Sequence, residues 1–503
     1  SVLASVIAKG FNLNPMRWID EHCIILNTLA RSQKKNNQID KAIKLEETSL
    51  SILRPFIYHD LEHELENIPD EWVNNYTATL SNLASSYMSK NQSDKAIRCE
   101  EESLIITEYF YNKDKSKWVD RYFTCVNNLG CSYRDCNKLN KAIELNKLAL
   151  FISETKFAEE TDEWAKSYNA SLINLAQTLS QSNQLERAIE LQEHSLKLCK
   201  IYYDEDKDSW AASYATSLSD MSIYYCNDKR LSLAIKLQIE SLAIREQYFE
   251  VTPEVWVEDY TTSLNNLAYL YNEDGQANKA IQLNNDALKI LENYFGQASD
   301  EWIEDYTTSL NNLANSYCNS NQFIKAIELQ NKSVQLLEFN FIKNKSHWAK
   351  NYTIQLNNLA TIYKDSGEAE KALMTAEKSC NISRLFAKQN SNWENRYTSS
   401  LNEIGSLLIQ LHKFKLANEY FRQYFNLFDV DNINPVNQII QFIYPFIKYV
   451  QAVRHSTNTE FIEFETMVND FTSSMMSKFG LDYLEMLENE KQGYWELAES
   501  TDP

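Results

Sequence analysis

From Trp302 onward, apolar side chains recur at Trp302, Tyr306, Leu310, Leu313 and Tyr317, in steps of four, four, three and four. Steps of that size place all five on one stripe of an α-helix. A second stripe, Ala326, Ile327, Leu329, Val334 and Leu337, begins near Ile324 and predicts a second helix. The same pattern stands 46 residues earlier, where WVEDYTTSLNNLAYLYNEDGQANKAIQLNNDALKIL from Trp256 matches WIEDYTTSLNNLANSYCNSNQFIKAIELQNKSVQLL from Trp302. A fixed period of this length predicts a solenoid of helical hairpins.

Tryptophan marks the period at 72, 118, 164, 210, 256, 302 and 348, then at 393 after 45 residues, and Trp18 opens a first copy offset by 54. Tyrosine follows four residues later in every copy but the first, where His22 stands. Between the two predicted helices one position holds Asn37, Asn91, Asn137, Asn183, Gly275, Asn321 and Gly367, with Lys229 and His412 as departures. Asn and Gly best tolerate the left-handed conformation of a helix end, so a tight turn is expected there. Small residues such as Ala314 and, twelve residues later, Ala326 let the helices approach closely. The regular tryptophans are read as packing residues of the same stripe.

Leu-x-x-Leu-Ala-x-x-Tyr, the turn Asn or Gly, and the second alanine resemble the tetratricopeptide repeat; Asn-Asn-Leu-Ala followed by Ala-Ile-x-Leu is similar to its kinesin-light-chain type. The resemblance covers residues 18–428 in about nine copies, each longer than the common 34-residue unit. It implies an all-α, right-handed superhelix whose concave groove binds another protein or an extended peptide. Residues 1–17 are read as an N-terminal helical segment. Residues 429–503 lose the period but keep helical apolar spacing (Ile439, Ile443, Phe446; Phe461, Phe464, Val468), which predicts a helical cap on the last hairpin.

Counting from the tyrosine, helix A positions +2, +5, +9 and +12 lie opposite the apolar stripe. There the middle copies carry Asn265, Tyr269 and Asn272, then Asn311 and Asn315, then Asn357 and Lys364, the residues expected to line the groove. Amide side chains both donate and accept, so a row of them suits an extended backbone. A solvated polar face is the competing reading. The second Asn of each motif (Asn128, Asn174, Asn266, Asn312, Asn358) sits at the stripe's edge, where the resemblance implies a structural hydrogen bond between helices. Asn27, Arg31 and Lys34 of the first copy form a secondary cationic patch suited to a carboxylate.

Composition narrows the partners. With 49 Lys and Arg against 70 Asp and Glu, the chain carries a formal charge of −21, which repels nucleic acid and anionic membranes. The most apolar run, IIQFIYPFIKYV, is short and interrupted, so no membrane span is expected. Nine cysteines without a CxxC pair read as reduced thiols and point to the cytoplasm. The opening SVLASVIAKGF lacks the marks of a signal peptide. A start at Ser1 suggests a piece of something longer, with a domain upstream. Eight glycines form no phosphate loop, and no cysteine follows Cys380 to pair with His455, so neither a cofactor nor a caspase-like centre is expected. The enzymatic alternative is a zinc-dependent hydrolase on HDLEH, with His59, Glu62 and His63 in an HxxEH pattern.

Overall fold

The computed structural model describes residues 15–35, 38–61, 68–90, 92–295, 302–388 and 391–427. All but the end of the 1–17 segment, and the whole 429–503 cap, lie outside them. Eighteen α-helices follow one another, with no strand among the described residues. They are α1 Pro15–Lys35, α2 Ile39–Leu61, α3 Asp70–Ser89, α4 Ser93–Lys113, α5 Lys115–Asp135, α6 Leu139–Glu159, α7 Thr161–Gln181, α8 Leu185–Glu205 and α9 Lys207–Asn227. Then come α10 Leu231–Val251, α11 Pro253–Glu273, α12 Ala277–Phe295, α13 Ile303–Asn319, α14 Phe323–Lys343, α15 Lys345–Asp365, α16 Ala369–Phe386, α17 Ser391–Gln410 and α18 Phe414–Asn426.

The chain divides into two compact units, Ser1–Tyr306 and Thr307–Pro503, with the boundary inside α13. In the first unit every helix from α1 to α12 packs on the next, and odd-numbered helices also touch across hairpins (α1 with α3, α3 with α5, α5 with α7, α9 with α11). The odd-numbered A helices therefore form the inner layer of that unit. In the second unit α14 to α18 pack in the same consecutive order. Its core joins Leu401, Ile404, Leu407 and Phe421 to Ala372 and Ala376.

The long period has a simple origin. Helices α5 and α6 have 21 residues each, a three-residue turn joins them, and the single residue Glu160 leads into α7. The turn is left-handed where the sequence asks for it, at Asn137, Asn183, Asn321, Gly275 and Gly367. Lys229 and His412 adopt the same positive φ, 60° and 55°, without the side chain that favours it. The turn closes through Lys138 N–H to the Tyr133 carbonyl at 2.8 Å and Asn137 N–H to the Arg134 carbonyl at 2.9 Å, the paired bonds of a Schellman end. Close approach shows at Gly405, where an added Cβ would stand 2.6 Å from the Phe421 ring.

The tryptophan–tyrosine extension locks one hairpin to the next. Tyr202 and Tyr203 end α8; across the single linking residue Asp206, Tyr202 stacks on Trp210 at 4.6 Å and Tyr203 on Tyr214 at 5.0 Å. Tyr248 with Trp256, and Phe249 with Tyr260, repeat the pattern one copy later. The Asp206 carboxylate accepts from Ser209 N–H at 3.1 Å and caps α9, fixing the angle at which the rings meet. Burying one such ring, over about 150–250 Å², contributes roughly 4–6 kcal/mol before the entropy of ordering it.

Candidate functional site

The A-helix face opposite the aromatic lock carries the expected groove positions, and inter-helix bonds hold its rows in register. Asn174 Nδ2 of α7 donates to Asn127 Oδ1 of α5 at 2.9 Å. Asn266 of α11 reaches Ser219 of α9 at 3.4 Å. Within the second unit Asn358 Nδ2 donates to Asn311 Oδ1 at 2.7 Å. The second Asn of the motif thus reaches back to the +5 side chain of the preceding copy, the inter-helix role expected of it. For Asn311 this has a cost to the sequence reading: its carbonyl already accepts one hydrogen bond, so part of its capacity is spent within the fold.

Of the other groove residues, Asn265, Asn272 and Asn357 are half-buried, while Tyr269, Asn315 and Lys364 are exposed. Tyr269 is 56% exposed, and Ile223, at the same +9 position one copy earlier, is 45% exposed. Both lie in the first unit, on α9 and α11, which touch. The Tyr269 phenol is pushed up by burial and then by the charges of Glu273 and Cys226. Ile223 did not stand out in the sequence. Its copy breaks the Asn-Asn-Leu-Ala motif into Ser219, Asp220, Met221 and Ser222, so a search for the motif passes over it.

The same unit also carries buried charge. Arg245 of α10 is 4% exposed and extends between the two A helices, donating from Nη2 to Thr216 Oγ1 at 3.1 Å and from Nη1 to Ser263 Oγ. Burial pushes the Asp220 carboxyl up to about 6, against the opposing pull of Arg245. At the start of α13, Asp305 is likewise pushed up to about 6, by burial and then by Glu258 and Glu304. Crowded carboxylates of this kind are relieved by an incoming cation.

The first-copy patch is built differently from its sequence reading. Asn27 is buried and donates to Thr79 Oγ1 at 2.7 Å; Lys34 donates to the Asn82 carbonyl at 2.6 Å and stands 3.4 Å from buried Glu46. Only Arg31 is exposed. The His59–His63 side chains lie outside the described residues. Among the described residues no group of three or more His, Cys, Asp or Glu could hold a metal ion, and no helix is long and apolar enough to cross a membrane. All nine cysteines are free.

The family model for the tetratricopeptide repeat matches residues 170–206, 215–252, 261–301 and 307–338. No curated protein matches the chain in sequence. Among solved structures the chain is similar to BtubC (BKLC) from P. vanneervenii, at 22% identity over 51% of this chain and 92% of that one, TM-score 0.41. It is also similar to the apo form of the quorum sensor NprR from B. thuringiensis, at 12% identity over 79% of this chain and 100% of that one, TM-score 0.44.

Proposed function

This chain is a tetratricopeptide-repeat protein, and from that premise we propose that it is a non-enzymatic binding protein that takes another protein, or an extended peptide, on the A-helix face. In the cell it serves as a scaffold or as the sensor arm of a larger signalling or defence assembly. The observation that carries the reading is the exposure of Ile223 and Tyr269, which hold the same repeat position on two touching A helices. Around them Asn265 and Asn272, both half-buried, continue the same face as polar side chains. In the second unit, Asn311, Asn315, Asn357 and Lys364 form a polar face of the same kind. An apolar side chain of the partner seats on the Ile223–Tyr269 pair, and the acidic cluster at Glu258, Glu304 and Asp305 favours lysine or arginine a few residues along.

A random peptide library panned against the immobilised protein tests this. The expected enrichment is of sequences with one large apolar residue near a basic one. Ile223→Asp together with Tyr269→Asp should abolish that enrichment without moving the melting temperature, since both side chains are exposed. Enrichment that survives the double variant would place binding elsewhere.

A further inference from the structure

The outer side of the first seam, between α2 and α4 and over α3, holds a cavity of about 410 Å³. Its floor is apolar and formed by Leu50, Leu80 and Leu83. The repeat explains why the space is there. Three residues after the packing alanine of helix B, six copies carry leucine: Leu45, Leu145, Leu191, Leu237, Leu283 and Leu329. The second copy carries Cys99 instead, and Cys99 lines the cavity. Losing the branched end of a leucine leaves a volume that its neighbours refill only in part.

The rim has a definite charge. Arg54, Lys95 and Arg98 stand there against Glu47 and Glu102. Both carboxylates already have partners: Glu102 pairs with Arg54 at 3.0 Å and accepts from the hydroxyls of Tyr76 and Tyr58, while Glu47 accepts from Tyr87 at 2.7 Å. Lys95 lies over the Tyr87 ring, 5.1 Å from its centre. Arg98 is exposed and makes no hydrogen bond or ion pair among the described residues. Its position is Lys44 and Lys236 in two other copies and Glu144, Glu190, Glu328 and Glu419 in four. In a chain of net charge −21, this cavity has leucines beneath and, at its lip, the exposed cations Lys95 and Arg98.

We propose that the cavity is a second binding site, separate from the A-helix face, for a small carboxylate with a short apolar body. The body lies on Leu50, Leu80 and Leu83, and the carboxylate meets Arg98 and Lys95. The volume falls in the range of small-molecule pockets, roughly 300–1,000 Å³, and a guanidinium is the side chain best matched to a carboxylate.

Octanoate is the probe, with octylammonium as the same body carrying the opposite charge, and calorimetric titration of the whole chain is the readout. The wild type should bind octanoate and not octylammonium. Two substitutions restore what other copies carry, so neither should harm the fold. Cys99→Leu narrows the cavity at its wall: it should raise the melting temperature and weaken octanoate binding at least tenfold. Arg98→Glu should weaken octanoate at least tenfold while leaving the melting temperature near that of the wild type. No heat with octanoate, or equal binding of the two probes, overturns the proposal. Binding undiminished in Cys99→Leu overturns the cavity as its location, and binding undiminished in Arg98→Glu overturns the carboxylate as the recognised group.

Discussion

The buried position four residues after the packing alanine is glutamate in the first two hairpins, Glu46 and Glu100, and an amide in the next three, Asn146, Gln192 and Gln238. The amides donate to the following A helix: Gln192 Nε2 reaches the Ser217 carbonyl at 3.1 Å and Gln238 Nε2 the Ser263 carbonyl at 3.2 Å. A carboxylate has no proton to give. Glu46 instead accepts from Ser86 at 2.7 Å and draws in Lys34, and burial pushes its carboxyl up. Glu100 is pushed up to about 7 by burial, against the opposing pull of Arg121 and a hydrogen bond from Ser81. The same scaffold position therefore carries a neutral donor in the central copies but an ionisable, pH-dependent acceptor at the N-terminal end, where the first seam also opens its cavity.

The largest expected effect breaks the regular seam. Trp210 is 5% exposed and stacked on Tyr202; Trp210→Ala should cost about 3–5 kcal/mol in denaturant unfolding. A loss near zero would mean that the aromatic lock does not hold the hairpins together.

Converting one end of the row to the other is the next test. Glu100→Gln supplies the donor that Gln192 and Gln238 use, and it removes a carboxyl whose folded pKa lies above its unfolded value. Such a group binds more protons folded than unfolded, so the wild type loses stability as pH rises from 4.5 to about 7. The variant should match the wild type near pH 4 and exceed it by roughly 1–3 kcal/mol at pH 8. A gap that stays constant with pH would show that Glu100 does not titrate in this window.

The smallest effect concerns the turn of a central copy. Lys229 holds φ at 60° where Gly275 does so freely; Lys229→Gly should stabilise by about 0.5–1 kcal/mol. Thermal melting unchanged or lowered would mean that the lysine side chain compensates for its backbone.

Much of this architecture was legible in the sequence, because apolar period, turn residue and small residues all repeat and all act locally. Lys229 and His412 follow the fold against their own preference, since the turn bonds on either side leave no other path. What was not legible lies between copies. The aromatic doublets Phe110–Tyr111, Tyr202–Tyr203 and Tyr248–Phe249 are visible in the chain, but their meaning depends on a one-residue link that brings them back onto the next Trp and Tyr. Likewise, Asn311 looks free on its helical wheel, and only the stacking of the next A helix shows that Asn358 donates to its carbonyl. Ile223 was hidden for the opposite reason: its copy abandons the motif while keeping the position.

Site-specific photo-crosslinking decides most directly whether the A-helix face is the binding surface. Benzoylphenylalanine is placed at Ile223, at Tyr269 and, on the outer B-helix face of the same unit, at Phe151, which is 66% exposed. A peptide enriched from the library should crosslink at 223 and 269 and not at 151. Crosslinking at 151 with none at 223 or 269 would contradict the account.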